Sequence, residues 1–111
     1  MVKVYYSKNS PYYVSDFNII GLCEKIIDCV NNSDKDVKFY TDREDVFHIL
    51  AMAIKQKKIS SNNIKFYGKD ETLYYLNKYL EIRISEEGII LDAIPNSQSK
   101  MIFNAIMGIE W

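Results

Sequence analysis

The feature that most constrains this chain is an alternation. Short β-branched and aromatic runs are separated by longer stretches with helical periodicity. Val2 to Tyr6 is the first such run and predicts a strand. After it, Ile19, Ile20, Cys23, Ile26, Ile27 and Val30 recur at i, i+1, i+4, i+7, i+8 and i+11, a stripe along one face of a helix that Ser15 or Asp16 can cap. Val37 to Tyr40 predicts a second strand. Thr41-Asp42-Arg43-Glu44 then fits a capping box, with Thr41 as the cap and Glu44 reaching back. The helix it opens carries Val46, Ile49, Leu50, Ala53 and Ile54 on one face and runs out in Lys55 to Lys58, where cations meet the negative end of the helix dipole. Ile64 to Tyr67 is a third strand, closed by Gly68. Helices of about 15 residues between short strands imply crossover connections and a parallel sheet.

The pattern changes in the last third. Leu80, Ile82 and Ile84 alternate with Glu81 and Arg83, Glu86-Glu87-Gly88 is a turn, and Ile89-Ile90-Leu91 returns, which predicts a hairpin. Leu73 to Tyr79 reads either as strand or as a short helix. After Pro95, Ser97 can cap a last helix with Met101, Ile102, Ala105, Ile106 and Ile109 on one side. The expected fold is α/β: a β-α-β-α-β core with a largely parallel sheet, then a β-hairpin and a C-terminal helix. With 111 residues, 1–111 is expected to form a single α/β domain.

Composition narrows the function classes. Apolar residues are 48% and charged residues 26%, which excludes a disordered tail and a disulfide scaffold. Fourteen Lys and Arg against fifteen Asp and Glu give a net charge of -1, without the basic excess of a dedicated nucleic-acid binder. Lys55, Lys57 and Lys58 read as a helix end rather than a nucleic-acid patch. The N-terminal MVKVYYSKNS lacks the apolar core of a signal peptide, and no apolar run approaches the roughly 20 residues of a membrane span. Cys23 and Cys29, six apart on one helix, are too distant for a disulfide and are expected as reduced thiols. A soluble, cytoplasmic protein is the expectation.

Catalytic chemistry finds little to work with. His48 is the only histidine; Glu44 lies one turn before it, but two ligands do not make a metal site. A Cys/His nucleophile would need Cys23 or Cys29 beside His48 and an orienting group. The four glycines form neither GxxxxGK[ST] nor GxGxxG. Thr41, Asp42, Glu44 and Asp45 follow one strand end and Asp70 and Glu71 another, where α/β folds place ligands, so a nucleotide- or metal-binding site around Thr41 and Asp42 is the alternative reading. Helix-start acids also serve the dipole alone. No catalytic residue, cofactor or metal is assigned.

Aromatics are the surplus: 14% of the chain, with nine tyrosines. Tyr5-Tyr6, Tyr12-Tyr13 and Tyr74-Tyr75 are adjacent pairs. Neighbours on a strand face opposite ways, so one of Tyr5 and Tyr6 packs inward and the other outward. Tyr is enriched at protein interfaces. Tyr6, Tyr12, Tyr13, Tyr74, Tyr75 and Trp111 are the candidate interaction residues.

From Val37 to Pro95 the chain resembles the C-terminal part of RecF-like and OLD-like ABC/SMC-type ATPases of bacterial defence systems. The features that carry the likeness are Val37-Lys38-Phe39-Tyr40-Thr41 with the acidic helix start after it, the helix to Ile54, and Lys55-Gln56-Lys57-Lys58. Ile64-Lys65-Phe66-Tyr67, the Glu81 to Ile90 strand and acidic-Gly turn, and Pro95 complete it. Val2 to Tyr6 stands where that family has its Walker B strand. The chain departs from the family at the chemistry: its switch histidine would fall at Asp42, its acidic pair near Ser7 and Lys8, and the phosphate loop is missing. The resemblance therefore implies a half-domain that kept the packing and lost the ATPase. The expected function is a small non-catalytic module that binds another protein, or a second copy of itself, through a sheet edge and exposed aromatics. One concrete form is a phage or mobile-element protein that modulates a defence or nucleic-acid-processing machine.

Overall fold

The computed structural model describes residues 1–6, 19–67 and 82–108. Within them the chain forms strand β1 (Val2–Tyr6), helix α1 (Ile19–Asn32), strand β2 (Val37–Thr41), helix α2 (Glu44–Lys55), a 3-10 turn (Ser61–Asn63), strand β3 (Ile64–Tyr67), strands β4 (Ile82–Ile84) and β5 (Ile90–Ala93), and helix α3 (Ser97–Met107). The α/β fold is the one the alternation predicts. β1, β2 and β3 make a parallel sheet in the order β2-β1-β3, with β1 in the centre.

Register decides which side chains meet. Val2 lies opposite Val37 and Ile64, and Val4 opposite Phe39 and Phe66. Val2, Val4, Tyr6, Ile64 and Phe66 are buried on the inner face. The α1 stripe closes on this core through Ile19, Cys23, Ile26 and Val30. α2 is buried on more than one side, because it packs against α1, α3 and β5 as well as the sheet. Its Phe47 ring stands between Tyr6 and Phe66, with centroids 6.1 and 5.9 Å away.

The predicted hairpin forms as an antiparallel pair, Ile82 opposite Ala93 and Ile84 opposite Ile90, with a register shift between Arg83 and Ile84. Its turn is closed by Gly88 N donating to Ser85 O at 3.0 Å. Gly88 also fastens the hairpin to the sheet, since Phe66 N donates to Gly88 O at 2.8 Å. The residue must be glycine there: φ is +87°, and a Cβ would lie 3.0 Å from Phe66 O.

Two helix starts differ from the expected caps, while the Ser15 or Asp16 cap of the first helix and Leu73 to Tyr79 lie outside the described residues. α2 begins at Glu44 with Arg43 at the N-cap and no side-chain cap bond. Thr41 is still in β2, paired with Tyr6, so its hydroxyl accepts instead from Arg43 N at 3.0 Å in a local turn. The strand runs one residue further than the capping-box reading allowed. At α3 the cap is Asn96, not Ser97: Asn96 Oδ1 accepts from Ser99 N at 2.8 Å. α2 ends in a Schellman motif, Lys58 N to Ala53 O at 2.8 Å and Lys57 N to Ile54 O at 3.0 Å. That geometry puts Lys57 at φ 60°, so the lysine-rich stretch is a helix end followed by a left-handed turn.

Candidate functional site

Two places on the molecule gather chemistry. The first is the C-terminal end of the parallel strands, where Tyr6, Thr41 and Asp42 lie. Asp45, in the first turn of α2, accepts from Ser99 Oγ of α3 at 2.8 Å, and its other oxygen lies 3.4 Å from Arg43 Nη2. Cys23 of α1 is fully buried nearby, and burial pushes its thiol up to about 12, with the Asp45 and Glu24 carboxylates adding to the shift. The Tyr6 phenol is raised as well, by burial first and then by Glu44 and Asp42. The Ser99–Asp45 bond ties α3 to α2. A thiol kept protonated is neither a nucleophile nor a metal ligand. His48 is buried in α2 while Glu44 is exposed, and among the described residues no three His, Cys, Asp or Glu side chains gather to hold a metal. Cys23 and Cys29 are free thiols, as expected from their spacing. Asp70 and Glu71 lie outside the described residues.

The second place is the outer face of the sheet. Of the Tyr5-Tyr6 pair, Tyr6 is the ring turned into the core, against Phe47, so the outward position belongs to Tyr5. This moves the candidate contact from Tyr6 to its neighbour, because β1 buries its even-numbered residues. Tyr5 pairs in register with Tyr40 on one side and Tyr67 on the other. The three rings stack across the strands, with centroids 5.0 and 5.1 Å apart and planes inclined by 17° and 23°. Sheet spacing of about 4.8 Å sets this distance.

Two residues earlier on the same face, Lys3 lies in register between Lys38 and Lys65. Like charges directly opposite one another disfavour a sheet, on the order of a few tenths of a kcal/mol per pair. Among the described residues the ion pairs are Met1 with Asp36 and Arg43 with Asp45, and neither involves this row. The face therefore carries a column of tyrosines beside a row of lysines. Its signal in the sequence is a recurring tetrapeptide, Val2-Lys3-Val4-Tyr5, Val37-Lys38-Phe39-Tyr40 and Ile64-Lys65-Phe66-Tyr67. Looking for adjacent tyrosines rather than for matched strands misses it. Tyr12, Tyr13, Tyr74, Tyr75 and Trp111 lie outside the described residues.

The sheet edges differ. β3 is engaged beyond β1 by the Gly88 carbonyl, whereas among the described residues β2 pairs only with β1. No described helix is long and apolar enough to cross a membrane. Comparison with protein-family models, with curated proteins and with solved structures finds no match.

Proposed function

We propose that the chain is a small non-catalytic interaction module that binds another protein through the outer face of its parallel sheet. The observation that carries this reading is the Tyr40-Tyr5-Tyr67 column. Tyrosine offers large contact area with few rotors to immobilise, and here stacking fixes the rings before any partner arrives. Among the described residues β2 pairs on one side only, an edge that a partner strand can join. The strand-end alternative has less support, because the Thr41 hydroxyl and the Asp45 carboxylate are already engaged within the protein. Resemblance to defence ATPases suggests such a machine, or a phage protein acting on one, as the setting.

The test is affinity capture from the native host with the full chain and with Tyr40→Ser and Tyr67→Ser variants whose circular dichroism matches the parent. A specific protein retained by the parent and lost by the variants is expected. Equal retention by all three overturns the assignment of this face. A thermal shift with nucleotides and Mg²⁺ bears on the alternative, since a ligand at 100 times its Kd adds about 2.7 kcal/mol.

A further inference from the structure

We propose that the Lys38-Lys3-Lys65 row makes this face the receptor for an acidic segment of the partner protein. The inference rests on the protein-binding reading above and names the partner's chemistry. Three lysines stand in register on neighbouring strands, and the ion pairs among the described residues lie elsewhere. Lys38 is exposed and Lys3 and Lys65 are half-buried. The chain's net charge is -1, so this row is a local concentration of positive charge on a protein with no basic excess. Carboxylates placed against the row cancel the repulsion that the parallel register imposes, and oppositely charged surfaces speed encounter and fix orientation.

Nucleic acid is the other anionic polymer such a row could meet, and the tyrosines argue against it. Sequence-tolerant binding of single strands stacks bases on aromatic ring faces. Here Tyr5 has a ring against each of its faces, 5.0 and 5.1 Å away, so no base can enter the column between its neighbours. What the column turns outward is its phenolic rim, because strand side chains stand roughly perpendicular to the sheet. A phenol hydroxyl is a hydrogen-bond donor suited to a carboxylate. A single row of three cations also neutralises few phosphates.

The experiment uses the full chain and a fluorescent 20-residue poly-L-glutamate, with anisotropy read at low and at moderate salt. A labelled dT20 oligonucleotide is the comparison. Expected are binding of poly-L-glutamate that weakens with salt, a Kd at least tenfold higher for the Lys3→Gln/Lys65→Gln variant, recovery in Lys3→Arg/Lys65→Arg, and a change under twofold for Lys57→Gln/Lys58→Gln away from the face. The Gln variant relieves a repulsion, so its melting temperature should equal or exceed the parent's. No binding of poly-L-glutamate, equal loss in both Gln variants, or tighter binding of dT20 overturns the proposal. If the lysine variants still capture the host partner that Tyr40→Ser loses, the acidic-segment inference falls and the protein-binding reading stands. If neither set loses a partner, both fall.

Discussion

At the scale of single residues, burial governs chemistry more than residue type does. Cys23 could have been a nucleophile by its identity; enclosed among apolar side chains and beside Asp45, its thiol rises from the ordinary 9.0 to about 12. Linkage gives this a sign. In the unfolded chain the thiol loses its proton near pH 9, before the folded one does. The contribution is thus fully present below pH about 9 and is lost as pH rises toward 12, at up to about 1.4 kcal/mol per pH unit. The Tyr6 phenol, also raised by burial and by neighbouring carboxylates, works in the same direction above its ordinary 10.0. Urea midpoints measured from pH 8 to 11 should therefore fall, and fall less steeply in Cys23→Ala, which removes one of the two groups. Parallel pH profiles for parent and variant would contradict the thiol's share. Ser99 shows the same economy: a buried hydroxyl on α3 is tied to Asp45 on α2, so two polar groups that burial would otherwise penalise satisfy each other.

At the scale of elements, the end of α2 is improvable in a definite way. Lys57 occupies the left-handed position of the Schellman motif at φ 60°, where glycine carries no Cβ penalty. Lys57→Gly should stabilise the fold by about 0.5–1 kcal/mol, read as a raised urea midpoint with unchanged slope. A lowered midpoint would show that the lysine side chain matters more than its backbone. Elements were largely legible in the sequence because their signals are local. The i, i+4, i+7 stripe of α1 and the period-two run at Ile82 and Ile84 each need only a short window. Caps were less legible. Thr41 has the right spacing to Glu44 for a capping box, but pairing with Tyr6 extends β2 through it, and that pairing joins residues far apart in the chain. The candidate face was hidden for the same reason. Tyr5, Tyr40 and Tyr67 become neighbours only once the strands are placed in register, and a search of adjacent residues finds Tyr6 instead.

At the scale of the whole molecule, a three-stranded parallel sheet and a two-stranded hairpin contribute to one hydrophobic core, with Ile82 and Ile84 buried beside Phe66 and Phe103 in the same cluster. Among the described residues the backbone join between the two sheets is the hydrogen bond from Phe66 N to Gly88 O. Gly88→Ala tests how strongly they depend on each other. The added methyl meets Phe66 O at 3.0 Å and the Lys65 Cβ at 3.1 Å in a backbone conformation that alanine resists, which should cost about 1–3 kcal/mol. Hydrogen exchange should show the Phe66 amide losing protection more than that of Val4 in the central strand. Uniform loss would mean that hairpin and sheet open as one unit. The matched strands have a consequence for assembly. Because β1, β2 and β3 share the same outward Lys and Tyr positions, any of them can stand beside any other without breaking either row. The outer face thus carries no address; only inner positions such as Val4 against Phe39 and Phe66 tell the strands apart. The order β2-β1-β3 is imposed by the connections and the helices, so folding relies on proximity along the chain. Two copies that meet while unfolded encounter foreign strands whose outer faces fit as well as their own, a setting that favours exchange of strands between molecules.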